Sequence, residues 1–378
     1  MSEDEDVPAS LRAQGAFIPR PLPGDLSMRT RTFKVCAEAE GFLGRLNEAS
    51  GRLTDPAPGS PLVRSTQVRE VQSSANVDGV SAALLEVLVS QLPGVRPGSA
   101  VNPKVALYLR ASDTAFDAVR DGAPIDVRLL CREAAAFAGG DVGVDDVWRD
   151  RHVCLGDPGE PEAFLLAAPP GPDSVAGLAQ FVDWSAQDLP FPLVAKLALG
   201  HYQLTVQMPF RYGNGHIARI HVGLELVASK TLHGQVLPIS TWIDGNRAEY
   251  WSRISRVVHE GDYEQWIEFF ARGVLEVCRR ELWLIDSLGR ERDALLKRIS
   301  GRNTGNIRRI VAELVSTPVT NHRQVVERYG MSKTNAIDLC KRLANDGILE
   351  PLDSKAYNKA YCNRELVRLL SLQDPLRP

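Results

Sequence analysis

The sequence predicts a mainly α-helical fold with a small basic domain appended at its C-terminal end. Three observations carry this: apolar residues recur at spacings of three and four through most of the chain, alternating segments are scarce, and charge is divided unevenly. Residues 301–378 hold 13 Lys/Arg against 8 Asp/Glu, a local charge of +5, which leaves −8 for the remainder of a chain of net charge −3. At 378 residues the chain exceeds what one hydrophobic core usually organises, so two domains, or one large domain with an appendage, are expected. Its 44% hydrophobic and 24% charged residues are those of a globular protein, and the small net charge gives no general attraction to nucleic acid.

Residues 1–32 combine the acidic start MSEDEDV with PRPLPG, which offers too little apolar surface to fold alone, and they are expected as a mobile arm. From Phe33 the pattern is helical, with Phe33, Ala37, Phe42, Leu43 and Leu46 on one stripe, and after a Gly/Pro-rich break near 55–61 the run REVQSSANVDGVSAALLEVLVSQL predicts a second core helix. Helices are expected at about 104–118 and 124–138. A Gly/Asp/Pro-rich stretch follows over 139–173, in which the apolar run Ala163 to Ala167 suggests a short β-hairpin flap. Helical spacing resumes over 192–206 and 216–230, and again in RAEYWSRISRVVHEGD and in the long run from Tyr263, where Asp262 is the expected N-cap. The six scattered cysteines, Cys36, Cys131, Cys154, Cys278, Cys340 and Cys362, form no CxxC pair and read as reduced core thiols. The acidic start is unlike a secretory leader, and no apolar run approaches the roughly 20 residues that span a bilayer. A cytoplasmic protein without a membrane partner is expected.

The basic tail is punctuated as helix, break at Thr317-Pro318, helix, tight Gly330, then SKTNAIDLCKRLANDG with Ser332 as N-cap and Gly347 closing the end. The following ILEPLDSKAYNKAYCN alternates enough for a two-stranded wing. Residues 300–378 therefore resemble a winged helix-turn-helix, a fold that serves DNA binding and protein interaction alike. Lys333, Thr334, Asn335, Lys341 and Arg342 lie on or near its candidate recognition helix, and Lys355 and Lys359 on the wing, where DNA contacts would be expected; the alternative is a solvated basic face.

The stretch Met208-Pro-Phe-Arg-Tyr-Gly-Asn-Gly-His-Ile-Ala-Arg219 joins two helices through a Gly213-Asn214-Gly215 turn. Two glycines permit positive φ and close approach, and the amides and dipole at the next helix's start favour an anion, most naturally phosphate. Arg219, one turn into that helix, could reach the same anion as a charge-assisted fork. By itself the turn reads first as a plain helix-helix connector.

Its surroundings resemble the Fic family of protein-modifying nucleotidyl transferases. That family's signature is His-x-Phe-x-(Asp/Glu)-Gly-Asn-Gly-Arg-x-x-Arg, and Phe210, Gly213, Asn214, Gly215 and Arg219 match it in register. The resemblance extends over residues 33–295 and implies a helical Fic (Fido) core with a hairpin flap. Near 70–80, SSANVDG resembles the family's inhibitory motif, with Ser74, Asp78 and Gly79 in matching places. The resemblance implies an Asp78–Arg219 salt bridge that obstructs placement of the ATP γ-phosphate; the alternative for Asp78-Gly79 is a turn that interrupts a helix.

Three working positions differ. Where the family has the histidine that takes a proton from the target Ser, Thr or Tyr hydroxyl, this chain has Met208, and a thioether has no proton to exchange. Tyr212 replaces the acidic residue that holds Mg²⁺ with a neutral phenol, so Mg²⁺ is not expected at the usual motif position. His216 replaces the first arginine and could ligate an anion, act as a displaced base, or simply pack. His201 lies two turns before Met208, too far to substitute. No Cys/His cluster of metal-ligand spacing occurs, so no metal site is expected.

The reading that follows is a degenerate Fic protein that binds ATP or another nucleotide through Gly213, Asn214, Gly215, His216 and Arg219, with AMP transfer lost or very weak. One alternative is an active transferase that modifies a protein target by a non-standard mechanism. Another is a DNA-binding regulator whose Fic core is only a scaffold for homodimerisation.

Overall fold

A computed structural model describes residues 8–52, 61–95, 102–139, 142–156, 164–299, 305–352 and 359–372. The chain is mainly helical. In order come α1 (Ala9–Gln14), α2 (Thr30–Arg52), α3 (Pro61–Val77), α4 (Leu84–Ser90), α5 (Pro103–Arg120) and α6 (Val127–Ala138). A hairpin of β1 (Cys154–Leu155) and β2 (Leu165–Leu166) follows, then α7 (Pro172–Ser185), α8 (Leu193–Gln207), α9 (Asn214–Ala228), α10 (Ser240–Gly245), α11 (Arg247–Glu260) and α12 (Tyr263–Arg298). The last part holds α13 (Gly305–Glu313), β3 (Val319–Asn321), α14 (His322–Tyr329), α15 (Lys333–Asn345), β4 (Glu350–Pro351), β5 (Ala360–Cys362) and α16 (Arg364–Ser371).

Helix α8 is apolar on all sides and is covered on all of them, with every residue from Leu197 to Gln207 buried. It is the axis of the core. Around it lie α2, α7, α9 and the long α12, which starts at Asp262, whose carboxylate accepts from the Gln265 amide as expected of an N-cap. His201, near the middle of α8, is structural. Its Nδ1–H donates to the Ala218 carbonyl at 2.8 Å, its Nε2 accepts from the Tyr250 hydroxyl at 3.0 Å, and burial pushes its pKa down to about 3.

Four sequence expectations are corrected. Residues 8–29 are not a free arm: Leu11 and Leu22 are buried, Phe17 N–H donates to the Leu166 carbonyl at 2.8 Å, and Trp184 Nε1–H donates to Pro23 O at 2.8 Å. The acidic cluster of the first seven residues lies outside the described residues. In α2 the covered stripe is Cys36, Ala39, Leu43 and Leu46, while Phe33 is 52% exposed; Phe42 is half-buried under the guanidinium groups of Arg45 and Arg279. The run 69–92 is two helices, because Gly79 takes φ 76° and ends α3, with the Val80 amide returning to the Ala75 carbonyl at 2.8 Å. Finally, α7 was hidden by the composition of its N-terminal side, where Gly171 and Pro172 supply its start.

Helix α3 is fixed to the core at its middle. Arg69 and Glu281 of α12 form a buried fork with contacts of 2.7 and 2.9 Å, and Glu70 accepts from both the amide and the hydroxyl of Ser240 at the start of α10. Past that clamp, the last turn of α3 projects toward the start of α9. Residues 305–372 form a unit with a three-stranded antiparallel sheet in the order β3-β5-β4, one strand more than the sequence predicts, and α16 closes it. The expected caps are present: Ser332 accepts from the Asn335 amide at 3.2 Å, and Gly330 and Gly347 take positive φ. This unit rests on α4 and α12, with Asn321 Nδ2 donating to the Pro93 carbonyl at 2.9 Å. Lys355 lies outside the described residues. Among the described residues, no helix is long and apolar enough to cross a membrane.

Glu133 of α6 is 1% exposed, and neither carboxylate oxygen has a partner; burial pushes its pKa well above the carboxylate range. Glu70 is pushed up to about 7 by burial, against its bonds from Ser240. Both acids hold more protons folded than unfolded, so stability they support at low pH is lost as pH rises through and beyond about 4.5 toward 7. Replacing Glu133→Met should stabilise the protein at pH 7 by about 1–3 kcal/mol and flatten this slope, as read by denaturant unfolding at several pH values. A loss of stability would reveal a polar partner for Glu133.

Candidate functional site

The turn at the end of α8 is built by three devices. Met208 caps α8 in the left-handed conformation (φ 43°, ψ 57°), which turns the chain away from the axis. Residues 147–149 then run antiparallel to 209–211, with Arg149 N–H donating to Pro209 O and Arg211 N–H to Val147 O at 2.9 Å. Asn214 closes the loop on itself: its Oδ1 accepts from the Phe210 amide at 2.9 Å and its Nδ2 donates to the Phe210 carbonyl at 2.7 Å. Phe210 itself is buried beside Trp148.

Arg149 locks this arrangement to the hairpin. Its buried guanidinium donates to the carbonyls of Met208 (2.6 Å), Arg151 (3.1 Å) and Ala168 and to the Ser174 hydroxyl (3.2 Å). All four acceptors are neutral, and burial lowers its pKa. Arg211 braces the outer side through Asp150 at 2.8 Å.

At the start of α9 the polar residues form one connected network. Arg219 is buried, and its Nε–H donates to Ser74 Oγ at 2.8 Å, while Nη2 donates to the Ser74 carbonyl at 3.1 Å and to Asp78 Oδ1 at 2.7 Å. The other oxygen of Asp78 accepts from the Tyr108 hydroxyl at 3.0 Å. Burial opposes the charge of Arg219, but Asp78, Tyr250 and Tyr108 together outweigh it and raise its pKa, whereas burial and the nearby carboxylate push the Tyr108 phenol up. The sequence-expected pair of Asp78 and Arg219 is thus formed, and the same Asp78 stands at the turn that ends α3.

His216 is enclosed by this network. Its Nδ1 is hydrogen-bonded to Ser74 Oγ at 2.7 Å, the same oxygen that accepts from Arg219, and its Nε2 to Ser112 Oγ at 3.2 Å. The ring lies between Tyr108 and Phe137, with centroids 4.6 and 4.8 Å away. Burial and the charge of Arg219 hold its pKa well below the ordinary value. In this arrangement the ring is packed among protein groups, buried and bonded through both nitrogens.

The face of the turn at which the sequence predicts an anion is covered by the protein's own groups. Gly213 takes φ 72°, and a Cβ there would collide with the ring of Phe137; a Cβ on Gly215 would come within 2.9 Å of Asp78 Oδ1 and 3.0 Å of Arg219 Nη1. The carboxylate of Asp78 therefore occupies the space beside the amide turn in which a phosphate oxygen was expected. Tyr212 is 44% exposed and offers a phenol where a metal ligand would be needed, and Asp78 is committed to Arg219 and Tyr108. These residues do not fit a resident Mg²⁺.

Phe137, Tyr108, Ser112 and Arg149 belong to the site but were not found by sequence reasoning. They come from α5, α6 and the 139–173 stretch, and no local pattern marks them. At the distant C-terminal unit, Lys333, Thr334, Asn335 and Lys341 are exposed on α15, while Arg342 is partly covered and lies 3.8 Å from Asp346. Burial and the charges of Lys341, Lys359 and Lys333 lower the pKa of His322, which bonds Tyr361 at 3.2 Å.

This arrangement of helices around α8 is the fold of Fic proteins. The structure is similar over 90% of this chain and 98% of the other to a Fic family protein from Desulfovibrio desulfuricans G20, with a TM-score of 0.58 and 17% sequence identity. A Fic domain-containing signaling protein from Bacteroides thetaiotaomicron aligns over 65% of this chain and 96% of its own, at a TM-score of 0.48 and 16% identity. No family model matches the chain.

Gly213→Ala should destabilise the protein by about 1 kcal/mol or more, since it combines a positive φ with a clash. Adding Phe137→Ala should recover part of that loss, measured by a double-mutant unfolding cycle. Strict additivity would mean that the ring does not constrain the turn.

Proposed function

We propose that this Fic-fold protein has given up nucleotidyl transfer and binds nucleotide phosphate at the Gly213–Arg219 turn only when Asp78 withdraws, a conditional, regulatory use of the site. The observation that carries the reading is the buried charge of Arg219, held with its two glycines and Asn214 in an intact network while Met208 and Tyr212 occupy the base and metal positions. A phosphate and the Asp78 carboxylate cannot share that guanidinium at contact distance, because two anions there would repel in a poorly screened site. Removal of the carboxylate therefore leaves a buried cation that an external anion can satisfy.

Calorimetric titration of ATP, ADP, AMP and GTP, with and without Mg²⁺, tests this on the wild-type, Asp78→Ala and Arg219→Ala proteins. Asp78→Ala should bind nucleotide at least about ten-fold tighter than wild type, a difference of about 1.4 kcal/mol, with no dependence on Mg²⁺. Arg219→Ala should not bind. Transfer of AMP to the Asp78→Ala protein or to a partner would instead support the transferase reading. Absence of binding by every nucleotide would leave the core as a scaffold.

A second reading concerns output. The exposed Lys333, Thr334, Asn335 and Lys341 on α15, with Lys359 nearby, favour contact with DNA phosphates, in keeping with a winged-helix reading of α14, α15 and the β3-β5-β4 sheet. Affinity for duplex DNA should fall steeply with salt, and Lys333→Ala and Lys341→Ala should each reduce the slope by about one. A salt-insensitive affinity, or unchanged slopes, would contradict it.

A further inference from the structure

Residues 18–24 read Ile-Pro-Arg-Pro-Leu-Pro-Gly, with proline at every second position. Each proline fixes its own φ and pushes the residue before it into the extended region, so Ile18 to Pro23 are confined to a polyproline II conformation. That helix has three residues per turn, which places carbonyls three apart on one face. The contacts follow this period. Gln203 Nε2 of α8 donates to the Arg20 carbonyl at 3.2 Å, and Trp184 Nε1 of α7 donates to the Pro23 carbonyl at 2.8 Å. Leu22, between them, is buried.

An indole N–H and an amide N–H spaced to meet carbonyls three residues apart, beside the Phe181 and Trp184 rings, form a surface suited to polyproline II segments, because such a ligand is already ordered before it binds. The hold on the chain's own segment is shallow. Within residues 8–29 only Leu11 and Leu22 are buried, and Ile18 is 61% exposed. The segment also leaves space unfilled: a cavity of about 260 Å³ lies beside it, with Pro21, Leu22 and Gly24 on one side and Asp183, Trp184 and Gln187 among the residues opposite. A Cβ on Gly24 would meet nothing within 4 Å. Gln203, another wall residue, keeps a buried Oε1 without a hydrogen-bond partner.

We infer that the groove between α7 and α8 is a docking site for a proline-rich partner segment carrying a basic side chain in the place of Gly24, and that residues 18–24 occupy it in cis as a resident competitor. The basic side chain would enter the cavity toward the Asp183 carboxylate. The partner segment would present two carbonyls three residues apart to Gln203 and Trp184, as the resident Arg20 and Pro23 do.

The test uses the full chain with Leu22→Asp, which releases the resident segment, and a fluorescent peptide copying residues 16–26 with Gly24→Arg. Anisotropy should show saturable binding at least ten-fold tighter to the Leu22→Asp chain than to wild type, and tighter than that of the peptide retaining Gly24. Adding Trp184→Phe, which removes the indole donor, should weaken it at least ten-fold. Absence of binding to a Leu22→Asp chain with native circular dichroism, or equal binding of a shuffled peptide, would overturn the proposal. Should Leu22→Asp fail to fold, excess Arg-bearing peptide on the wild-type chain should speed hydrogen exchange of the Phe17 amide, which is bonded to Leu166 in the seated segment, as that segment is displaced. An unchanged exchange rate would overturn it equally.

Discussion

A buried guanidinium is the constraint around which the site is organised. Arg219 lies on α9, itself largely buried, and a charge in that position is tolerable only if it is neutralised and its donors are satisfied. Asp78, Ser74 and, through Asp78, Tyr108 meet that need, which is why the last turn of α3 has to reach the motif. The buried Arg69–Glu281 fork and the Glu70–Ser240 bonds hold α3 where that contact is possible. Removing Asp78 would leave the charge without a counterion, and the proposed entry of an external anion rests on that.

The same packing explains why the turn is closed. Gly213 and Gly215 have no side chains, and the space this leaves is taken by the Phe137 ring and by the Asp78 carboxylate. His216 completes the seal, its two nitrogens spent on Ser74 and Ser112 and its ring set between two aromatic neighbours. An arginine at that position would place a second cation beside Arg219 in the same buried space, whereas a neutral imidazole adds none. The neutral residue at position 216 and the closure of the turn are thus parts of one arrangement.

Much of this was legible in the sequence where the signal is local. The Gly-Asn-Gly turn, the Asp262 and Ser332 caps, the long α12 and the split of charge between core and tail are written in neighbouring residues. The Asp78–Arg219 contact came from resemblance, since nothing in spacing alone joins residues 141 positions apart. The failures were of another kind. Composition argued for a free arm at residues 8–29, but proline-rich chain loses little freedom on docking, and two buried leucines with a few backbone bonds suffice to seat it. The register of α2 was misjudged because Phe33 is apolar yet exposed. Phe137, Tyr108 and Arg149 could not be assigned, as their roles exist only once α5, α6 and the hairpin have packed against the motif.

The most direct measurement is a crystal structure of the Asp78→Ala protein grown with ADP and no divalent cation. The account predicts the phosphates against Arg219 and the amides of residues 213–215, with the Phe137 ring displaced from Gly213. Nucleotide bound elsewhere, with Phe137 still over Gly213 and Arg219 bonded only to Ser74, would contradict it.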